Sequence, residues 1–283
     1  MVSASVRVEQ AQFAQERGVG FRRACALMGI SRSSVYYRHR MPSKDEAVVK
    51  AMRELSGKNP KYGARRIREL LRRQGTVIGM TRCRRLWTKA GLQVPRKKRR
   101  KISASGLRIP RPHAMNSVWS YDFVHDMCAN GQKLKCLTVV DEYTRECLAI
   151  AVSGRIRSSD VIETLSRLMS THGVPRYLRS DNGPEFISGA LLEWATKSGI
   201  DIAFIEPGKP WQNGLNESFN GKFRDECLSA EWFRNRLEAK VVIEDWRQHY
   251  NAIRPHSSLN YCTPIEFKNS IGAPNNPGVE TSR

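Results

Sequence analysis

Three acidic side chains set the chemistry open to this sequence. Asp181 and Glu217 have 35 residues between them and lie in Leu178-Arg179-Ser180-Asp181-Asn182-Gly183-Pro184-Glu185-Phe186 and Trp211-Gln212-Asn213-Gly214-Leu215-Asn216-Glu217-Ser218-Phe219. Asp122 lies upstream in Trp119-Ser120-Tyr121-Asp122-Phe123. Carboxylates hold hard divalent cations, and a group of them brought in from separate elements could converge on one metal site.

The flanking sequence says how each acid would be held. The apolar run from Val174 to Leu178 predicts a strand, and Asn182-Gly183-Pro184 is turn chemistry. Asp181 is therefore expected where a buried strand opens to solvent. Glu217 follows Pro207-Gly208-Lys209-Pro210, which cannot be helical, and begins a periodic run (Leu215, Phe219, Phe223) that can be. Two of the acids have ordinary readings as well. Asp181 before Asn-Gly suits an Asx-turn, and a glutamate in a first helical turn is favoured by the helix dipole. Asp122 resists such a reading, because a carboxylate within an apolar strand is costly unless it is paired or metal-bound.

Asp122, Asp181 and Glu217, with their spacing, resemble the Asp-Asp-Glu triad of retroviral-integrase-like transposases. Nearly the whole chain is similar to the second-reading-frame transposase of bacterial insertion sequences. The segment Tyr62-Gly63 to Ile67 resembles a second helix-turn-helix of that family. Tyr250-Asn251-Ala252-Ile253-Arg254-Pro255-His256-Ser257-Ser258-Leu259 with Thr263-Pro264-Ile265-Glu266-Phe267 resembles its C-terminal signature, to which the sequence assigns only the docking of the last helix. The resemblance implies two Mg²⁺ (or Mn²⁺) ions, with Asp122 bridging them, Asp181 on one and Glu217 on the other. It implies cleavage at the ends of a mobile element and joining of the freed 3′-hydroxyl by direct transesterification. Related enzymes place a DNA-contacting basic residue seven positions after the glutamate. That position is Arg224 here, and Lys222 is the nearby alternative. Expected partners are double-stranded DNA (terminal inverted repeats and target), further copies of the chain on that DNA, and an upstream-frame product joined by fusion or association. The expected location is the bacterial cytoplasm, at the nucleoid.

Charge supports a nucleic-acid partner independently. The net charge is +21, but residues 1–112 hold 29 Lys/Arg against 6 Asp/Glu, whereas residues 113–283 hold 19 against 21. A polyanion-binding front and a nearly neutral back follow. Within 1–44, Phe21, Ala24, Cys25 and Met28 recur at helical spacing, Gly29 breaks the run and Ser31 can cap a helix over Arg32 to Arg38. Within 45–94, Ile67, Leu70 and Leu71 make one apolar stripe among arginines, and Cys83, Leu86, Trp87 and Ala90 make another after a Thr81 cap, with Gly75 and Gly91 as stops. Both segments read as helix-turn-helix units, with Arg32, Ser34, Arg38, Arg65, Arg66, Arg82, Arg84 and Arg85 as candidate DNA contacts. Residues 95–113 are a basic linker, with Lys97 and Lys98 as further contacts.

Residues 114–272 form the candidate catalytic core. Strands are expected over 118–124, 135–141, 147–152, 174–178 and 201–205. Helices are expected from Ser158 to Gly173 and over 188–198, 215–228 and 235–250. That order makes an α/β fold, a mixed five-stranded sheet flanked by helices, which the resemblance identifies as ribonuclease-H-like. Residues 206–213 read as a mobile loop that leaves Glu217 variable until DNA arrives, and 273–283 as a disordered tail. Asp126, Asp141, Glu142 and Glu185 read as structural or surface acids. His125 and His256 lack partners at zinc spacing. The seven cysteines form no C-x-x-C pair, so they are expected as buried free thiols. There is no signal-peptide pattern and no apolar run long enough to span a bilayer.

Two rivals remain at this level. A non-catalytic DNA-binding regulator would call for a broken triad. A structure-selective nuclease of the same fold would not need two DNA-reading units in front.

Overall fold

Alternation along the central strand decides which side chains meet the helices on each face. The computed structural model describes residues 4–36, 41–95, 112–180, 188–204 and 214–272. Five strands form one sheet: β1 (Val118–Met127), β2 (Lys133–Asp141), β3 (Cys147–Ser153), β4 (Tyr177–Ser180) and β5 (Asp201–Phe204), in the order β3-β2-β1-β4-β5. The first three make an antiparallel meander; β4 joins β1 in parallel, and β5 joins β4 in parallel. This is the expected mixed sheet.

Trp119 and Tyr121 of β1, with Leu137 and Val139 of β2, pack against α7 (Ser158–His172) and α8 (Gly189–Lys197) through Leu165, Leu168, Leu191 and Ala195. Val124, Cys136 and Val140 point the other way, onto Phe219 and Phe223 of α9 (Gly214–Phe223) and Ile243 and Tyr250 of α10 (Arg236–Ala252). Asp122 shares its parity with Val124, so the pleat turns it toward α9.

β4 departs from expectation. The predicted strand 174–178 begins at Val174, but Val174 is exposed and the strand runs from Tyr177 to Ser180. Gly173, at φ 91°, ends α7, and Pro175 has no N–H for a ladder, so 174–176 serve as the connection. α9 also differs from a plain helix over 215–228. It passes at Arg224 into a π-helical turn, Arg224–Leu228.

The front of the chain holds two helical units. α1 (Ala4–Glu16), α2 (Phe21–Leu27) and α3 (Arg32–Tyr36) form the first. Ser31 caps α3 as expected, its Oγ accepting from the Ser34 N–H at 3.3 Å. The second has three helices rather than two, α4 (Met41–Lys58), α5 (Ala64–Arg73) and α6 (Met80–Lys89), around Met52, Ile67, Leu71, Leu86 and Trp87. Its first helix begins at Met41. α6 starts one residue before Thr81, after Gly79, with no side-chain cap. Gly75 and Gly91 take left-handed φ values of 84° and 70°, closing α5 and α6 as anticipated. Among the described residues no helix is long and apolar enough to cross a membrane.

The C-terminal signature has a larger role than docking the last helix, α11 (Pro264–Gly272): it seats the second helical unit on the core. Arg254 is 1% exposed and grips Glu226 of the π-turn with two hydrogen bonds, 2.7 and 2.6 Å. Its guanidinium lies 5.7 Å from the Tyr62 ring and 5.6 Å from the Tyr250 ring. Tyr62 Oη meets His249 Nε2 at 3.2 Å, while Arg73 donates to Tyr261 O and to Glu266.

Removing one partner of a buried ion pair leaves the other charge uncompensated. Arg254→Met is therefore expected to destabilise the protein by about 3 kcal/mol. Adding Glu226→Gln should return part of the loss, because the stranded carboxylate is gone. Urea unfolding of the two variants beside the parent checks this; a double variant no more stable than Arg254→Met would refute it.

Candidate active site

A mid-strand carboxylate needs hydrogen bonds, and Asp122 has them. Its Oδ1 accepts from the Phe123 N–H at 2.7 Å, and its Oδ2 accepts from Asn220 Nδ2 at 2.8 Å. Thr138 faces Asp122 across the β1–β2 register and is fully buried. Its hydroxyl lies 3.1 Å from the Asp122 carbonyl oxygen and 3.3 Å from Asn220 Oδ1. One turn earlier on α9, the buried Asn216 donates from Nδ2 to the Tyr121 carbonyl at 3.3 Å. Two asparagines at i and i+4 thus fasten α9 to β1 at Tyr121 and Asp122. Glu217, exposed, sits between them in the first turn of that helix. The sequence signal was there: asparagines are poor helix formers, yet two lie on one face beside Glu217.

Asp181, Glu185 and the 206–213 loop lie outside the described residues. β4 stops at Ser180, the residue before Asp181, after pairing with Val118 to Ser120 of β1. The end of the strand is anchored by Arg179, which donates Nη1 to both oxygens of Glu142, at 2.9 and 2.8 Å, with both side chains buried. Burial pushes the Glu142 carboxyl above its usual range, against the pull of Arg179. Asp141 closes the β2–β3 turn, accepting from the N–H groups of Asn116, Tyr143 and Thr144 and from the Thr144 hydroxyl. Asp126 Oδ1 takes the Met127 N–H. Asp141 and Glu142 are occupied by these structural contacts.

Among the described residues no three His, Cys, Asp or Glu side chains come together as a metal site. Asp122 and Glu217 are hard oxygen donors of the kind that suits Mg²⁺ or Mn²⁺ rather than a thiolate-seeking metal. His256 is buried with its pKa driven down to about 2, first by burial and then by Arg254, so it is a neutral ring held by the Tyr250 carbonyl. Six of the seven thiols are buried, and burial pushes those of Cys136 and Cys227 up to about 12.

The candidate DNA contacts divide into several groups. Arg38, Lys97 and Lys98 lie outside the described residues. Arg32 and Ser34 are exposed on α3. Arg82 and Arg85 both bind Asp45, so they tie α6 to α4. Arg65, Arg66 and Arg84 line a cleft of about 1220 Å³, whose far wall is Ser257 and Tyr261 of the C-terminal segment. Arg66 also lies over the Tyr62 ring, its guanidinium 5.3 Å from the ring centroid. Arg224 is exposed and donates to the His125 carbonyl at 3.4 Å; the π-turn that it opens takes it off a simple α-helical count from Glu217. Lys222 remains on the α-helical part, half-buried, with Nζ on the Ser218 hydroxyl at 3.1 Å.

Comparison with known proteins adds to this geometry. Residues 43–100 match an HTH-like domain, and residues 112–210 and 198–264 match two Integrase core domain models. The chain is 44% identical over 247 residues to the IS407 insertion-element uncharacterized 31.7 kDa protein of Burkholderia multivorans, covering 87% of this chain and 89% of that one. It is 40% identical to the IS476 insertion-element uncharacterized 39.2 kDa protein of Xanthomonas euvesicatoria, covering 91% and 77%. A putative transposase, InsK of IS150 from Escherichia coli K12, is 26% identical over 87% of this chain and 92% of its own. A solved chain of the simian T-cell lymphotropic virus intasome shares the fold, with a TM-score of 0.52 and 18% identity over 76% of this chain and 75% of that one.

Lys222 supplies a pH test. Burial, and then Arg254, with Arg66 and Arg145 adding to it against Glu226, pulls its pKa from 10.5 to about 8. The folded value lies below the unfolded one, so holding this ammonium costs stability in full below pH 8. That cost fades as the folded chain releases the proton between the two values. Lys222→Met should therefore raise the melting temperature at neutral pH and raise it progressively less as the pH climbs toward 10. A gain that stays constant across a thermal-unfolding pH series would rule this out.

Proposed function

The chain belongs to the insertion-sequence transposases of the integrase superfamily and is a DNA transposase, and we propose that Asp122, Asp181 and Glu217 are its catalytic carboxylates. The observation that carries this reading is the fastening of α9 to β1 by Asn216 and Asn220, which sets the helix bearing Glu217 on the strand bearing Asp122. Asp181 joins the set by sequence position, next after the buried end of β4.

Divalent-metal dependence goes with this family. The finer proposal is a pair of Mg²⁺ or Mn²⁺ ions, which would neutralise the reacting phosphate and activate the attacking hydroxyl. This chain's own residues supply the rest. Asp122 and Glu217 present oxygen donors from two elements held together in advance. The Arg179–Glu142 pair fixes the strand that leads to Asp181. Arg224 and Lys222 lie along the Glu217 helix and its continuation, and would meet the phosphates of the element end.

The division of labour is proposed from charge. Residues 1–112, with their balance of 29 basic to 6 acidic side chains, would bind the terminal inverted repeats, and the core would bind them weakly. Arg65, Arg66 and Arg84 are the described basic residues best placed for this, since they line the cleft between the second helical unit and the core. Assembly of several copies on DNA and joining to an upstream-frame product complete the proposal.

Asp122→Asn, Asp181→Asn and Glu217→Gln are each expected to abolish strand cleavage and joining while leaving binding to element-end DNA within about twofold. The check is a strand-transfer reaction in Mg²⁺ on oligonucleotides ending in the element's own termini, with a mobility shift in parallel. Normal joining by any one variant would remove that residue from the catalytic set.

A further inference from the structure

The hydrogen bonds around Asp122 reach beyond the three acids. Asn220 sits on α9, three residues after Glu217, and its amide bridges two partners: Nδ2 donates to Asp122 Oδ2 at 2.8 Å, and Oδ1 lies 3.3 Å from the Thr138 hydroxyl. The carboxylate fixes which way the amide points, because an ionised Asp122 can only accept and so draws the N–H groups toward Oδ2, leaving Oδ1 on the side of the Thr138 hydroxyl, whose single hydrogen is shared between that oxygen and the Asp122 carbonyl. The reverse orientation would set carbonyl oxygen against carboxylate oxygen. Thr138 is itself locked, fully buried and directly opposite Asp122 in the ladder.

The kind of donor matters. A lysine or arginine in this position would orient the carboxylate and also neutralise it. A neutral amide orients it and leaves its negative charge for a cation. Asn216 adds a second pin one turn back, and it is held there although its buried Oδ1 has no partner among the described residues. Side chains that could serve packing alone, such as leucine or alanine, would hold α9 at lower cost. The polar pair is explained by its effect on the two acids between and beneath it.

We propose that Asn220 is a positioning residue, backed by the Thr138 hydroxyl, that sets the Asp122 carboxylate and, with Asn216, the placement of Glu217 relative to it before any metal or DNA is bound. The proposal rests on the reading of Asp122 and Glu217 as metal ligands. The helix bearing Glu217 is fastened to β1 from its first turn, through Asn216.

Mn²⁺ binding to the full chain without DNA, followed by water-proton relaxation, tests it. Removing an outer hydrogen-bond partner of a metal ligand typically weakens affinity 10–100-fold. Asn220→Leu should weaken Mn²⁺ binding by about that factor, and Thr138→Val, which keeps the shape and loses the hydroxyl, should weaken it less but in the same direction. A packing role alone would lower the melting temperature and leave the Mn²⁺ affinity of the folded protein unmoved. Asp122→Asn serves as the reference. Unchanged Mn²⁺ binding there would overturn the metal-site reading and this proposal with it. Loss in Asp122→Asn together with affinities within twofold of the parent for Asn220→Leu and Thr138→Val would overturn the role of Asn220 alone. Should Asn220→Leu fail to fold, Thr138→Val carries the same decision.

Discussion

A carboxylate on the central strand of a sheet has to be satisfied where it stands, and the Asp122–Asn220 hydrogen bond is what the rest of the core is arranged around. The bond requires α9 to lie directly on β1, which in turn requires Phe219 and Phe223 to fill the space between the sheet and α10. It requires β2 to present a small hydroxyl at the facing position, where Thr138 stands among valines, leucines and cysteine. On the other side of β1 the aromatic pair Trp119 and Tyr121 locks the strand against α7 and α8, so the polar row is confined to one face.

A second constraint acts between the helical front and this core. Arg254, Tyr62, Tyr250 and His249 form a junction in which one buried ion pair, Arg254–Glu226, is surrounded by further positive charge from Arg66, Arg145 and Lys222. Like charges crowded in this way oppose one another, and Glu226 offsets only part of the effect on Lys222. The docking of the second helical unit and the electrostatic state of the Glu217 helix are thereby linked through the same few side chains.

Much of this was legible in the sequence. Strand and helix order followed from alternation and helical periodicity, and the glycines at 75 and 91 marked helix ends because only a left-handed residue continues the chain there. The isolation of Asp122 in an apolar run pointed to a special role from one residue alone. What escaped was of two kinds. Boundaries shifted where a residue's local preference met a tertiary demand: Val174 is a good strand residue, but Gly173 and Pro175 left it no ladder to join. Long-range pairings such as Asn220 with Asp122, 98 residues apart, or Tyr62 with His249, 187 apart, leave no periodic trace. The same blindness applied to Arg82 and Arg85, which looked like part of a basic face and instead find Asp45 across the helical unit.

The cysteines have a consequence of a different order. Cys25 is buried in the first helical unit, Cys83 in the second, and Cys128, Cys136, Cys147 and Cys227 in the sheet and its helices. A buried thiol reacts only when its surroundings open, at a rate set by the free energy of that opening. Each structural unit therefore carries an oxidation clock of its own, and the order in which the thiols fall to an oxidant would follow the local stability of the unit that encloses them.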